Sequence, residues 1–308
     1  MKKITITLSL FALGLTAYSQ QELIYSQSVF SQLAFNPAFA GMSQGYNADL
    51  LYRSQLNEFP SISPIFQFNG DAALPCINSG IGITAFRNGN SFESTTELKL
   101  SYSYHLNLSS GTLSGGASFG YYETSMSNAW VQPMGIYPTY PKNSSTYDLG
   151  FGLYYNTPNG MYVGFSTSKL ANGNLMNHSA QEIGYDFPQE YYLTAEYDFK
   201  INSDCDVLPD AYIISNKDFT ASMIDARLQG KFFWVGVGNR IYTYPQGSTI
   251  NDTFIGSIGF LHTFKDGSNI KLGYSYDFPT SDYYYSNLAV HEINLAFCIK
   301  QTPKETVK

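Results

Sequence analysis

Charge is scarce in this chain: only 13% of its 308 residues are Asp, Glu, Lys or Arg, about half the ~25% usual for a soluble domain. The net charge of −7 falls to −9 once the first nineteen residues, with Lys2, Lys3 and no acid, are set aside. An acidic chain lacks the basic face that phosphate binding needs, so no nucleic-acid partner is expected. Cysteine is also sparse, and the three present are an odd number. Cys76 and Cys205 fall in expected turns on separate parts of one rim and Cys298 in a strand, so no disulfide is expected. The four histidines, His105, His178, His262 and His291, are scattered without metal-ligand spacing. There is no Gly-x-Ser-x-Gly elbow, P-loop or paired-His helix motif. The expectation is a non-enzyme with no catalytic residues, cofactor or metal. No apolar run beyond the amino terminus approaches the ~20 residues of a membrane helix.

What is present begins with a secretion signal over residues 1–19. Lys2 and Lys3 form its basic end, Ile4 to Leu15 its apolar stretch, and Ala17 and Ser19 the small residues of a cleavage site. The run is too short for an anchor. Aromatics reach 16%, with 26 Tyr and 22 Phe. A tyrosine-rich exported chain that is short of charge fits either a secreted β-sandwich or an outer-membrane barrel with aromatic girdles.

Alternation of side chains is regular. In "ELKLSYSYHL", Leu98, Leu100, Tyr102, Tyr104 and Leu106 share one face, and Glu97, Lys99, Ser101, Ser103 and His105 the other. The segments from Tyr191 to Lys200, Ile270 to Phe278 and Glu292 to Ile299 repeat the pattern. Fourteen strands are expected, near 46–53, 62–73, 78–87, 95–106, 112–124, 146–156, 160–169, 189–201, 206–215, 219–229, 231–242, 251–264, 268–278 and 290–300. Their connections alternate between tight turns and longer loops, with 216–218 the exception. That asymmetry belongs to an all-β, transmembrane antiparallel β-barrel with periplasmic turns and external loops, since a sandwich has no reason to sort loops by parity. The expected organisation is a signal at 1–19, a leader at 20–45, a barrel at 46–300 and a periplasmic tail at 301–308, with both ends on the periplasmic side.

Several stretches, taken in order, resemble the PorP/SprF family of outer-membrane proteins of the type IX secretion system in Bacteroidetes. They are "YSQSVFSQLAFNPAFAG" at Tyr25–Gly41, "LYRSQ" at Leu51–Gln55 with "FPSI" at Phe59–Ile62, "YSYHLNLS" at Tyr102–Ser109, "GLYYNTPNGMYVGFSTSKL" at Gly152–Leu170, "GYSYD" at Gly273–Asp277 and "HEINLAF" at His291–Phe297. The chain departs from the family pattern at Glu22-Leu23, where the family has Asp-Pro. It departs again at Leu56, where the family has Trp, and Asn57 and Glu58 are inserted there. The resemblance implies a fatty-acid-transporter-like barrel in the outer membrane. It also implies two partners: the type IX translocon and a secreted surface protein, adhesin-like, whose C-terminal targeting domain the barrel receives. In gliding bacteria that adhesin serves motility. The alternative reading is a channel or transporter for small apolar solutes.

The apolar, nearly uncharged leader needs a place. A barrel of about fourteen strands is too wide for its own side chains to fill. The leader is therefore expected to enter as a plug carrying the family motif residues Tyr25, Ser26, Gln27, Phe30, Phe35, Asn36, Pro37, Phe39 and Gly41. Phe30, Phe35 and Phe39 are the expected anchors, Asn36-Pro37 makes a turn, and Gly41 loosens the backbone before the first strand. Arg53 is expected to face the lumen beside Asn47 and Asp49. A lone buried charge needs a partner, and Asp71, Asp277 or Glu292 are candidates for a lumen ion-pair network. In the external loops, Trp130, Tyr137 and Tyr140 lie among Pro133, Pro138 and Pro141, and Tyr283, Tyr284 and Tyr285 form a second cluster. These are expected partner-binding aromatics, or alternatively part of an aromatic girdle. "GVGNR" at Gly236–Arg240 reads as glycine in a strand with a close neighbour, not a phosphate cradle.

Overall fold

The computed structural model describes residues 24–43, 45–54, 62–90, 93–126, 143–171, 188–280 and 290–300. The strands are β1 (Gly45–Ser54), β2 (Ile62–Leu74), β3 (Ser79–Asn90), β4 (Glu93–Leu108), β5 (Gly111–Met126), β6 (Asn143–Asn156), β7 (Tyr162–Ser168), β8 (Glu190–Glu196), β9 (Phe199–Asn202), β10 (Cys205–Ser215), β11 (Thr220–Gly230), β12 (Phe233–Thr243), β13 (Thr249–Thr263), β14 (Asn269–Pro279) and β15 (Val290–Lys300). Each pairs antiparallel with its neighbours in one sheet. Pairing of β1 with β15, from Gly45 opposite Lys300 to Ser54 opposite His291, closes the barrel. β8 and β9 both lie on β10, so they are one crossing in two pieces, and the barrel has fourteen.

The break in that crossing has a chemical cause. Opposite Tyr197 stands Pro209, which has no N–H to give to a ladder. Tyr197 N still donates to Pro209 O (3.2 Å), but no bond can return from Pro209 N, while on the other side Asp198 N continues the register with the β7 side by donating to Gly160 O (3.2 Å). The single strand expected over 189–201 is thus interrupted.

Side-chain alternation places the apolar face outward. On β4, Leu98 and Leu100 are 46% and 55% exposed, whereas Lys99, Ser101 and Ser103 are 7%, 5% and 0% exposed. The same holds round the wall, through Leu50 and Tyr52 on β1, Phe66 and Phe68 on β2, Phe165 on β7, Val235 and Val237 on β12, and Phe297 and Ile299 on β15. A continuous apolar belt of this kind is a liability in water and a requirement in lipid.

One rim carries turns only: Pro75–Asn78, Ser109–Ser110, Thr157–Met161, Ser203–Asp204, Lys231–Phe232 and Phe264–Ser268. The opposite rim is less uniform than its sequence suggests. β3 and β4 continue to Asn90 and Glu93, leaving two residues where seven were expected, and β12 to β13 is joined by Tyr244–Ser248. The ladder runs on through Asn88 opposite Thr95 and Gly89 opposite Ser94. Beyond the lipid band, polar residues hide the period of two while their backbones still pair. The long connections are residues 55–61, 127–142, 169–189 and 280–289.

Candidate functional site

The leader turns inward instead of extending the sheet. Its described part contains 3-10 turns at Ser28–Phe30 and Pro37–Phe39 and one α-helical turn, α1, at Gln32–Phe35. Among the described residues no strand pairs with it, so its buried N–H and C=O groups need partners from the wall. They find them in two distinct regions.

The first is a charged cluster. Arg53 donates from Nη1 to Glu292 Oε2 (2.8 Å) and from Nη2 to Asp277 Oδ2 (3.1 Å). Arg240 on β12, two strands from β14, donates to Asp277 (3.2 Å). The cluster holds two positive and two negative side chains, all buried. Ser26 is at its centre. Its Oγ donates into the Asp277 carboxylate, 2.6 and 2.8 Å from the two oxygens, and accepts from Arg53 (2.6 Å) and Arg240 (3.2 Å). The backbone N–H groups of Ser26 and Gln27 each donate to Glu292 (2.9 Å each). Tyr25 donates its hydroxyl to Gln67 on β2. Asp49 stands apart from this cluster, contrary to expectation. It lies four residues below Arg53 on β1, about 13 Å along the strand, and accepts from Asn69 (2.9 Å) and Ser31 (3.4 Å). Asp71 binds Asn47 (3.0 Å) and the N–H of Gly41 (2.8 Å).

The second region is built mainly of small residues. Cross-strand register aligns Gly80, Ser103, Gly116, Gly152 and Ser166 in one inward row over β3 to β7. Residues 35–40 of the leader lie along this row. A Cβ on Gly80 would stand 2.1 Å from Ala40 O, one on Gly116 2.4 Å from Ala38 N, and one on Gly152 2.0 Å from Asn36 Oδ1. The serines face leader carbonyls: Ser103 donates to Ala40 O (2.6 Å) and Ser166 to Phe35 O (2.7 Å). Ser114, next to the row, donates to Ala38 O (2.6 Å), and Lys99 reaches Ala34 O (2.7 Å). Asn36 caps the following turn through Ala38 N (3.0 Å) and donates its amide to Leu153 O (2.9 Å). Gly41, at φ +71°, turns the chain toward β1.

Phe35 is buried with Tyr25, Tyr212, Leu51, Ile65 and Ile255 in an apolar cluster inside the wall. Phe30 and Phe39 are only half-buried, against Trp234 and Tyr154 (ring centroids 5.9 and 5.5 Å). A separate inward network, not anticipated from sequence, joins Arg227 to Glu196, Asp210 and Asp225. Gly236 and Gly238 lie against Arg227 and Asp225, the close neighbours expected of "GVGNR". The three cysteines are free. Among the described residues, no group of His, Cys, Asp and Glu has the geometry of a metal site. Trp130, Tyr137, Tyr140, Tyr283, Tyr284 and Tyr285 lie outside the described residues.

A polar interior, a lipid-facing exterior and fourteen antiparallel crossings define an outer-membrane β-barrel. Solved structures of that class are similar to it. A mutant of the TodX monoaromatic hydrocarbon channel matches with TM-score 0.50 and 10% identity, over 86% of this chain and 92% of that one. A FadL homologue of Pseudomonas aeruginosa matches with TM-score 0.49 and 11% identity, over 85% and 91%. The sequence narrows the assignment. Residues 17–297 match the family model "Type IX secretion system membrane protein PorP/SprF", and the chain belongs to that family. It is an outer-membrane component of type IX secretion. No curated protein matches the sequence.

Proposed function

We propose that this barrel is a sealed, non-catalytic receiving site that binds the C-terminal targeting domain of one secreted surface protein and supports its secretion or attachment. The observation that supports the reading is the set of contacts between the leader and the inner wall in a chain of this family. At least one polar contact each from β1, β2, β4, β5, β6, β7, β10, β12, β14 and β15 is spent on residues 24–41. A wall committed in this way favours a closed support over an open pore. The partner would then be met by the loops of the long-loop rim, with Trp130, Tyr137, Tyr140, Tyr283, Tyr284 and Tyr285 as aromatic contacts.

The test is to purify a tagged protein from detergent-solubilised outer membranes. A large surface protein with a type IX targeting domain should come with it, together with translocon components. Purification alone, with loss of apolar-solute uptake on deletion, would favour the transporter reading instead. The plug is tested separately by deleting residues 21–43 and recording single-channel current. Conductance should rise, and an unchanged current would count against a plug.

A further inference from the structure

We propose that the leader threads the lumen from rim to rim, so that the mature chain begins at the long-loop mouth and ends at the opposite one. The argument is the order of its contacts. Gly41 meets Asp71, and Ala40 meets Ser103, close to the tight-turn ends of β2 and β4. Ser31 and Ala34 meet Asp49 and Lys99, near mid-strand. Ser26 and Gln27 meet Glu292, two residues from the long-loop end of β15, and Ser26 meets Asp277, two residues from the long-loop end of β14. Gln32 meets Tyr162, the first residue of β7 at the tight-turn rim, so going backward along the chain the leader first runs around the lower wall over residues 31–41 and then rises toward the long-loop rim between Ser31 and Ser26.

At about 3.3 Å per strand residue, Glu292 lies roughly 7 Å below that rim. The five residues from Ser26 back to Gln21 span up to about 17 Å when extended. With cleavage after Ser19, the chain ahead of Ser26 is long enough to reach the mouth. Long loops face the cell exterior in barrels of this kind. The amino terminus is then external and the carboxyl terminus, beyond Lys300 at the tight-turn rim, periplasmic. This replaces the expectation that both ends share the periplasmic side, and it does not depend on which partner the barrel binds.

The test places a short hydrophilic epitope between Gln20 and Gln21, with a second strain carrying it after Lys308. The amino-terminal epitope should bind antibody equally on intact and opened cells, the carboxyl-terminal one only on opened cells. An amino-terminal epitope seen only after opening overturns the proposal. If the insertion blocks assembly, Gln21→Cys in a Cys76→Ser, Cys205→Ser, Cys298→Ser background replaces it, probed with a polyethylene-glycol maleimide too large to cross the outer membrane. Labelling of intact cells supports the proposal. Labelling only after opening, or none in either case, overturns it.

Discussion

The two ends of the leader are held by opposite chemistry. Around Ser26 the wall supplies charge: Arg53, Arg240, Asp277 and Glu292 surround one hydroxyl and two N–H groups. Around residues 35–40 the wall supplies absence, a row of Gly and Ser that lets backbone lie against backbone. Paired charges leave little net field but are costly to break one at a time. A niche without side chains is insensitive to charge and intolerant of volume. The first region fixes where the leader's end goes, and the second fixes how closely its body lies on the wall.

The comparison can be broken most forcefully at Arg53. Arg53→Ala removes the arginine paired with Glu292 and one of the two paired with Asp277, a loss of about 3–5 kcal/mol for a broken buried pair. It should appear as a lower unfolding temperature in detergent and weaker resistance to SDS. A mutant as heat-stable as the parent would remove the cluster from the account. Next in size is Gly116→Val, whose added carbons meet Ala38 backbone. Overpacking costs about 1–3 kcal/mol, sometimes more, and the expected sign is a leader that limited proteolysis can now cut. Gly115→Val, one residue away on the lipid side where a Cβ has room, should leave proteolysis unchanged. Smaller again is Ser114→Ala, which orphans Ala38 O at a cost of about 1–3 kcal/mol, read as a modest shift in the same melting curve.

The subtlest measurement asks whether the two regions are independent. In a double-mutant cycle, Ser26→Ala and Glu292→Gln share a hydrogen-bonded cluster and should couple by about 0.5–3 kcal/mol. Ser26→Ala and Ser114→Ala share no partner and should add within about 0.5 kcal/mol. Strong coupling in the second pair would mean that the leader behaves as one rigid body.

Much of the wall was legible from sequence, because a period of two survives translation into lipid and lumen faces: Leu98 through Leu106 sit outward as their alternation requires. Arg53 with Asp277 and Glu292 was legible because strand order brings β14, β15 and β1 together. Arg240 and the Arg227 network were not, since contacts between side chains on next-but-one strands, such as β12 with β14 or β8 with β11, depend on register and curvature that no local pattern records. The small-residue row was missed for a related reason. A glycine in a strand is ambiguous alone, and only register shows that Gly80, Gly116 and Gly152 face the same way on one line. Inward parity of glycine on successive strands was the available signal.

Sequence distance separates the two regions as sharply as chemistry does. Ala38 and Ser114 are 76 residues apart, whereas Ser26 and Glu292 are 266 apart and span nearly the whole chain. Loop closure favours the nearer pair, so the leader is expected to settle on the early hairpins while the sheet is still open. The Ser26–Glu292 bond forms only when the last strand arrives, and a probe placed there would report the moment the cylinder shuts.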